Sequence, residues 1–169
     1  MKDTIKIIEY GNMYAEKAKD LLVELQTYLA NLDKRGVIVI KDNYREDYFS
    51  YISKEIKEHQ GKIFLAKQCD KIIGMIVCKI FQGGEEENLT TNCPKIGFIS
   101  DLVVTKSQRG QGIGKLLLSQ AEWYFKEEAC DYAQLEVFAP NVNAFKLYEK
   151  SGFQTNCLYL SKKLSYEKY

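Results

Sequence analysis

A glycine-rich segment, SQRGQGIGKLLL, spans Ser107 to Leu118 and is the strongest chemical signal in the chain. Its three glycines stand at every second position, between an apolar strand-like run and a helix-like run of leucines. A strand, a glycine-rich turn and a helix in this order gather free backbone N–H groups and the positive end of the helix around one point. Side chains at the glycine positions would block the approach of a ligand. The segment therefore predicts a phosphate-binding loop.

Two widespread phosphate motifs do not fit this loop. A Walker loop needs Arg109 to be glycine and Leu116 to be serine or threonine. The dinucleotide fingerprint Gly-x-Gly-x-x-Gly needs its third glycine where Lys115 or Leu117 stands. The loop must therefore belong to another class of phosphate site.

Three polar side chains after the loop are candidates for chemistry. Glu136 lies in the otherwise apolar run LEVF, where a carboxylate needs either solvent or a function. Asn141 precedes an apolar helical run and is a natural N-cap. Tyr148 shares a helical face with Phe145, so a buried aromatic pair competes with any chemical role for it.

Composition limits the class of protein. The 169 residues carry 24 Lys and Arg against 23 Asp and Glu, which excludes the broad positive field of a general nucleic-acid or membrane-surface binder. Length and 46% apolar content predict a single domain over residues 1–169. The N-terminus lacks the apolar segment of a signal peptide, and no run approaches the roughly 20 apolar residues of a membrane span. We therefore expect a cytoplasmic protein with neither nucleic acid nor membrane as a partner.

The cysteines do not indicate a metal site. They are five in number, widely spread, and form no Cys-x-x-Cys pair. We expect reduced thiols and no bound metal.

Hydropathy predicts alternating strands and helices, which indicates a mixed α/β sheet. The predicted strands are TIKIIEY, KIFLAKQ, KIIGMIVCKIF, KIGFISDLVV, YAQLEVF and FQTNCLYLSKKL, and the predicted helices include Ala18–Leu29, Asn43–Glu58, the run after the glycine loop, and Asn141–Lys150. KIGFISDLVV is apolar on both faces, with Phe98 and Leu102 on one and Ile99, Asp101 and Val103 on the other, as in a central strand covered on both sides. The long loop QGGEEENLTTNCP is either functional or a solvated insertion.

The glycine loop resembles the acyl-CoA signature of the GNAT superfamily of N-acetyltransferases, Arg/Gln-x-x-Gly-x-Gly/Ala, at Arg109, Gly112 and Gly114. Gln108 and Gly110 extend the match. ISDLVVTKSQRGQGIGKLLL looks like the central strand, loop and helix of that family, and LEVFAPNVNAFKLYEKSGF is similar to its second block. The resemblance runs from about Lys62 to the end, while the N-terminal elements match in pattern only.

The resemblance implies a three-layer α/β fold: a mostly antiparallel, mixed sheet of six or seven strands, with splayed central strands and helices on both faces. It implies acetyl-CoA as co-substrate, with the pantetheine arm in the gap between the splayed strands and the pyrophosphate on the glycine loop. Lys106, Arg109 and Lys115 would meet further phosphate charge, unless they are solvated surface residues. The residues implied to bind the cofactor are Leu102, Val103, Val104, Gln108, Arg109, Gly110, Gln111, Gly112, Ile113, Gly114, Lys115 and Asn141.

The implied activity is direct transfer of an acetyl group to a primary amine in a ternary complex. Tyr148 matches a tyrosine that stands beside the CoA sulfur as an acid. Glu136 matches the glutamate base of peptide N-terminal acetyltransferases, and Asp101 matches an acidic residue of many small-amine acetyltransferases, where it could instead bind the ammonium. A backbone N–H near Leu102 or Val103 would contact the oxyanion.

The acceptor is the least defined part. A protein N-terminus, a lysine and a small cationic amine all remain open, and a homodimer is compatible with the resemblance. Acidic and aromatic residues of the first helices and the long loop would suit a cationic acceptor, although charge runs are usually solvated. These residues are Tyr28, Asp33, Tyr44, Asp47, Tyr48, Glu85, Glu86 and Glu87. Two alternatives are transfer of a different acyl group on the same fold, and a non-catalytic module that binds CoA or a protein.

Overall fold

The computed structural model describes residues 4–83, 89 and 91–164. Its strands are β1 (Ile5–Glu9), β2 (Lys62–Gln68), β3 (Lys71–Gln82), β4 (Lys95–Val104) and β5 (Tyr132–Leu135). Its helices are α1 (Ala15–Leu32), α2 (Tyr44–Glu58), α3 (Ile113–Glu127) and α4 (Val142–Lys150). The bounds of β2 and β4 agree with the sequence prediction, while the acidic residues Glu85 to Glu87 lie outside the described residues. No helix in the described ranges is long and apolar enough to cross a bilayer.

The strands form one mixed sheet in the order β1-β2-β3-β4-β5. Neighbouring strands among β1 to β4 are antiparallel to each other, and β5 runs parallel to β4. This confirms the predicted mixed α/β class, although the described residues form five strands and not six or seven.

Helices cover both faces of the sheet and define two apolar clusters. On one face, α1 and α2 bury Ala18, Leu22 and Ile52 against β2 and β3. On the other, α3 buries a stripe at helical spacing that includes Leu117 and Phe125. Gly97 makes room for this helix, because a Cβ there would lie 2.2 Å from the Phe125 ring.

A β-bulge interrupts β4 at Ser100. Val77 of β3 pairs with Asp101 and the next residue, Cys78, pairs with Ile99, so Ser100 has no opposite residue. The extra residue changes which face the later side chains occupy. The predicted grouping of Ile99 with Val103 is therefore wrong: Ile99 packs with Leu102 in the cluster under α3, while Val103 lies in the cluster under α1 and α2.

The end of the sheet is shorter than predicted. Pairing of β4 with β5 runs only from Ile96 opposite Tyr132 to Ile99 opposite Leu135, yet β4 continues to Val104. The two strands therefore separate beyond Ile99, as the splayed pair of the resemblance implied. The predicted final strand over FQTNCLYLSKKL is wrong, because residues 153–164 have no regular secondary structure.

Candidate active site

The glycine loop connects β4 to α3 and has the conformation that only glycine adopts easily. After the turn at Lys106–Gln108, Gly110 and Gly112 have φ angles of 78° and 82°. A Cβ built on either residue would meet no atom within 4 Å. These two glycines are therefore required by the backbone turn, and the space beside them is open to a ligand.

The amide groups of this loop point to no acceptor among the described residues. For the N–H groups of residues 110–115, the described part of the chain offers no hydrogen-bond partner. The first intrahelical bond of α3 is donated by Leu116 N–H to the Gly112 carbonyl. Because these free donors sit at the positive end of a helix of 15 residues, the loop suits an anion such as a pyrophosphate.

Gly114 has a different role from its two neighbours. A Cβ there would lie 2.9 Å from Cδ2 of Leu147 on α4. The missing side chain thus lets α3 and α4 approach each other. Ile113 is buried, so within this turn its backbone N–H, and not its side chain, is available to a ligand.

The Arg109 side chain is exposed but lies against protein groups and links the loop to α1. Its Nε donates to the Val104 carbonyl at 2.9 Å, and its guanidinium lies 4.6 Å from the ring centroid of Tyr28. Glu24 accepts from the backbone N–H of Lys106 at 2.6 Å and lies 3.4 Å from Arg109 Nη2. Lys115 is exposed. Of the loop cations, Arg109 is therefore already engaged by protein groups.

Asp101 lies on the part of β4 that is paired with β3 but no longer with β5, and it is buried at 6% exposure. One carboxylate oxygen accepts from the Tyr48 hydroxyl at 3.0 Å and the other from the Ser100 hydroxyl at 2.7 Å. Burial raises the pKa of Asp101 above its usual range, while these hydrogen bonds and the charge of Lys79 oppose the rise. A buried carboxyl with a raised pKa is suited to accept a proton near neutral pH.

Tyr148 extends from α4 toward the same region. Burial raises the pKa of its hydroxyl to about 12, and the charge of Asp101 adds to the rise. Its ring also packs edge-on against Phe153, with centroids 6.0 Å apart. The hydroxyl stays protonated at neutral pH, so core packing and hydrogen-bond donation coexist in this residue.

Glu136 and Asn141 occupy different environments. Glu136 follows the last residue of β5, is exposed, and has no hydrogen bond or ion pair within the described ranges. Asn141 caps α4, as predicted: its Oδ1 accepts from Ala144 N–H at 3.3 Å. The same oxygen lies 3.4 Å from the Tyr28 hydroxyl, which links the cap to α1.

Tyrosines of α2 line the sheet beside Asp101. The rings of Tyr44 and Tyr48 are stacked at 5.1 Å, and Tyr51 continues the stack at 6.1 Å from Tyr48. Asp33 stabilises the α1–α2 loop, because its buried carboxylate accepts hydrogen bonds from backbone N–H groups there, including those of Val37 and Ile38. Asp47 is exposed. Of these acceptor candidates, Tyr44 and Tyr48 are those beside Asp101.

One group of side chains has the composition of a metal site. Glu55, Glu58 and His59 place ligand atoms within 4.8 Å of one another. A carboxylate oxygen of Glu55, however, is 3.0 Å from the Lys79 ammonium, which already neutralises it. The absence of a metal stays a prediction.

Comparison with known proteins assigns the family. The model described as the Acetyltransferase (GNAT) family matches residues 21–153, which is most of the chain. The chain belongs to this family. The match includes the glycine loop, Asp101, Glu136 and Tyr148.

This GNAT protein is similar to curated relatives and to a solved structure. It is 28% identical over 145 residues to N-alpha-acetyltransferase 30 of Xenopus laevis, covering 85% of this chain and 50% of that protein. It is 25% identical over 150 residues to glucosamine 6-phosphate N-acetyltransferase of Candida albicans, covering 89% and 86%. The BH1408 protein of Bacillus halodurans, in a tetramutant form, superposes with a TM-score of 0.81 at 22% identity, covering 94% and 99%. The chain spans half or less of the length of the N-alpha-acetyltransferases that it matches first.

Two residues of the GNAT site were not identified from the sequence. Glu24 holds the loop but lies 82 residues before Lys106, and its spacing of four from Tyr28 on α1 is the one local signal. Ser100, the bulged residue, donates to Asp101, and no residue pattern in the sequence predicts that bulge. The contacts of Glu24 and Ser100 are both defined by tertiary structure.

Proposed function

We propose that the protein transfers the acetyl group of acetyl-CoA to a primary amine, directly and within a ternary complex. One observation carries the proposal: buried Asp101, whose charge acts on the Tyr148 hydroxyl, lies where β4 has separated from β5, on the strand that leads into the open glycine loop. A proton acceptor, a proton donor and an anion site thus occur along one continuous path.

The residues present fit acetyl-CoA. The free amides of residues 110–115 would hold the pyrophosphate, and the unpaired edge of β4 at Leu102, Val103 and Val104 would bond to the pantetheine. Gln108 and Gln111 bond to each other at 2.9 Å on the outer side of this loop. Lys115 is exposed and free to approach a phosphate. Acetyl-CoA supplies the reactive thioester when it is bound.

The amine must lose a proton before it can attack. An alkyl ammonium with a pKa near 10.4 is neutral in only about one molecule in a thousand at pH 7 to 7.5. We assign the base to Asp101 in preference to Glu136, because Asp101 is buried, oriented by two donors and electrostatically linked to Tyr148. Exposed Glu136 would instead interact with the far part of the acceptor.

We assign to the Tyr148 hydroxyl the stabilisation of the departing sulfur. A phenol with a pKa of about 12 is a weaker acid than a thiol, whose pKa is about 8.5. Full transfer of its proton would therefore be uphill, and a hydrogen bond to the developing thiolate is the stabilising interaction. As the amine nitrogen bonds to the acetyl carbon and the C–S bond breaks, the CoA thiolate leaves with this hydrogen bond, and the second nitrogen proton passes to solvent.

The acceptor in this proposal is a protein α-amine or a small cationic amine. The names of the two curated relatives concern an α-amine and an amino sugar, so an amine is the shared element. The buried carboxylate and the tyrosines of α2 would receive a cationic amine.

A test is thiol release from acetyl-CoA with four acceptors: a peptide with a free N-terminus, an N-blocked peptide with one lysine, glucosamine 6-phosphate, and a polyamine. We expect turnover with at least one amine and none with the same peptide blocked at all amines. Release that does not depend on an amine, or binding of acetyl-CoA without release, would instead favour a non-catalytic CoA-binding module.

A further inference from the structure

Tyr48 is one of the two hydroxyl donors to Asp101 and the one that comes from a helix. It comes from the middle of the stacked tyrosines of α2, between Tyr44 and Tyr51. Its hydroxyl donates to Oδ1 of Asp101 at 3.0 Å across 53 residues of sequence. The stacking on both sides restricts the ring, so this donor is held in place before any substrate arrives.

The other groups around Asp101 cannot replace this donor. Ser100, the bulged residue, occupies Oδ2 at 2.7 Å. Lys79 of β3 contributes positive charge, but its ammonium is bonded to Glu55 at 3.0 Å. Tyr44 and Tyr148 also feel the Asp101 charge, yet Tyr48 is the one phenol bonded to it among the described residues. Oδ1 therefore depends on Tyr48 for its orientation.

We propose that Tyr48 is a positioning residue for Asp101, which it keeps ionised and directed toward the acceptor amine. The inference rests on the proposed function, because it assigns the base of that reaction to Asp101. Tyr48 itself exchanges no proton. The proton of the ammonium moves from nitrogen to a carboxylate oxygen, leaving a neutral amine and a carboxylic acid that later releases the proton to water.

The physical argument concerns the two forms of the carboxyl group. A buried carboxylate is disfavoured by desolvation, and each hydrogen bond donated to it offsets part of that cost. Removal of the Tyr48 hydroxyl would therefore raise the pKa of Asp101 further. The fraction of enzyme with an ionised base at pH 7 would fall, while the ring stack would remain.

The first measurement is the pH profile of kcat/KM for the wild type and Tyr48→Phe. We expect the acid limb to move to higher pH by about one unit, because a hydrogen bond to a charged group contributes roughly that much. Activity should fall about tenfold on the acid side and recover at high pH. Tyr159→Phe, which removes a hydroxyl from a tyrosine that is 96% exposed, is the matched control. Equal loss at every pH, with an unmoved limb, would overturn the positioning role.

The second measurement does not need turnover. A carboxyl whose pKa is raised on folding stabilises the protein at low pH, and this contribution is lost as the pH rises through the folded-state pKa. Tyr48→Phe should therefore destabilise the protein more above that pKa than below it. In an Asp101→Asn background the pH-dependent part of the difference should vanish, and its persistence there would contradict the inference.

The two measurements separate the possible failures. If the wild type releases no thiol with any amine while the unfolding data follow the expected pattern, the proposed function is wrong. The hydrogen bond from Tyr48 to Asp101 then has no catalytic role. If the wild type is active and the Tyr48→Phe limb does not move, only the role of Tyr48 fails.

Discussion

Two carboxylates are candidates for the general base, and the residues around them differ. Asp101 is buried and has two hydroxyl donors, whereas Glu136 is exposed beyond the end of β5. Both were candidates from the sequence, because both occur in apolar strand-like runs. Burial and hydrogen bonding distinguish them, because the two hydroxyl donors orient the Asp101 carboxylate, whereas no side chain among the described residues orients Glu136.

The first prediction compares these two carboxylates. Asp101→Asn should lower kcat/KM by about 100-fold or more, because general-base catalysis contributes that much. Glu136→Gln is the matched change and should alter kcat/KM little. Thiol release at fixed pH measures both variants. The reverse order of effects would transfer the base role to Glu136.

The second prediction concerns Tyr148. Tyr148→Phe should reduce kcat by about 100-fold, because its hydroxyl acts on charge that develops only in the transition state. The affinity for acetyl-CoA should hardly change, since the ring and its contact with Phe153 are kept. Single-turnover rates and equilibrium binding give the two quantities, with Tyr159→Phe as control. An unchanged single-turnover rate would remove Tyr148 from the chemistry.

At the scale of elements, α1 connects the two halves of the site. Glu24 and Tyr28 lie one turn apart on it and contact the glycine loop on one side and the cap of α4 on the other. The loop at Arg109 and the helix that carries Tyr148 are therefore held by one helix. We therefore expect α1 to affect cofactor binding although it lies outside the glycine motif.

The third prediction tests this connection through Glu24. Glu24→Ala should weaken acetyl-CoA binding by about tenfold, because the Lys106 N–H and Arg109 lose the carboxylate that orients them. The turnover rate at saturating acetyl-CoA should remain near that of the wild type. Titration calorimetry provides the affinity, and Glu127→Ala, at an exposed position of α3, is the control. Equal affinities of the two variants would show that the loop does not depend on α1.

Strand prediction succeeded where packing agrees with local pattern. The runs KIFLAKQ and KIGFISDLVV are rich in apolar and β-branched residues, and the structure gives β2 and β4 the same bounds. The bulge at Ser100 was missed, because it is defined by registry against β3 and not by residue type. The segment after α4 has strand-like residues but no sheet partner among those described, so its composition did not decide its structure.

For the whole molecule, the sequence located the glycine loop but not the contacts that organise the candidate site. The loop is local in sequence, since its glycines, turn and helix start lie within a few residues. The Tyr48 to Asp101 bond spans 53 residues and the Tyr28 to Asn141 contact spans 113. Local patterns carry no information on such pairs, because they form only when the whole sheet and its helices are assembled. The contact of Arg109 with Glu24, 85 residues earlier, belongs to the same class of long-range result.

Thermal unfolding with acetyl-CoA, CoA, NAD and ATP added separately tests most directly whether the N–H groups of residues 110–115 hold the phosphates of CoA. At a hundredfold excess over Kd, a ligand that binds only the folded state adds about 2.7 kcal/mol, or roughly 5 to 11 °C for a chain of this size. We expect this rise with the two CoA species alone. It should be lost in Gly112→Val and kept in Gly36→Val, a matched glycine with φ of 68° and equally open surroundings. A folded wild type that shows no rise with CoA, or an equal rise with ATP and NAD, would contradict the assignment.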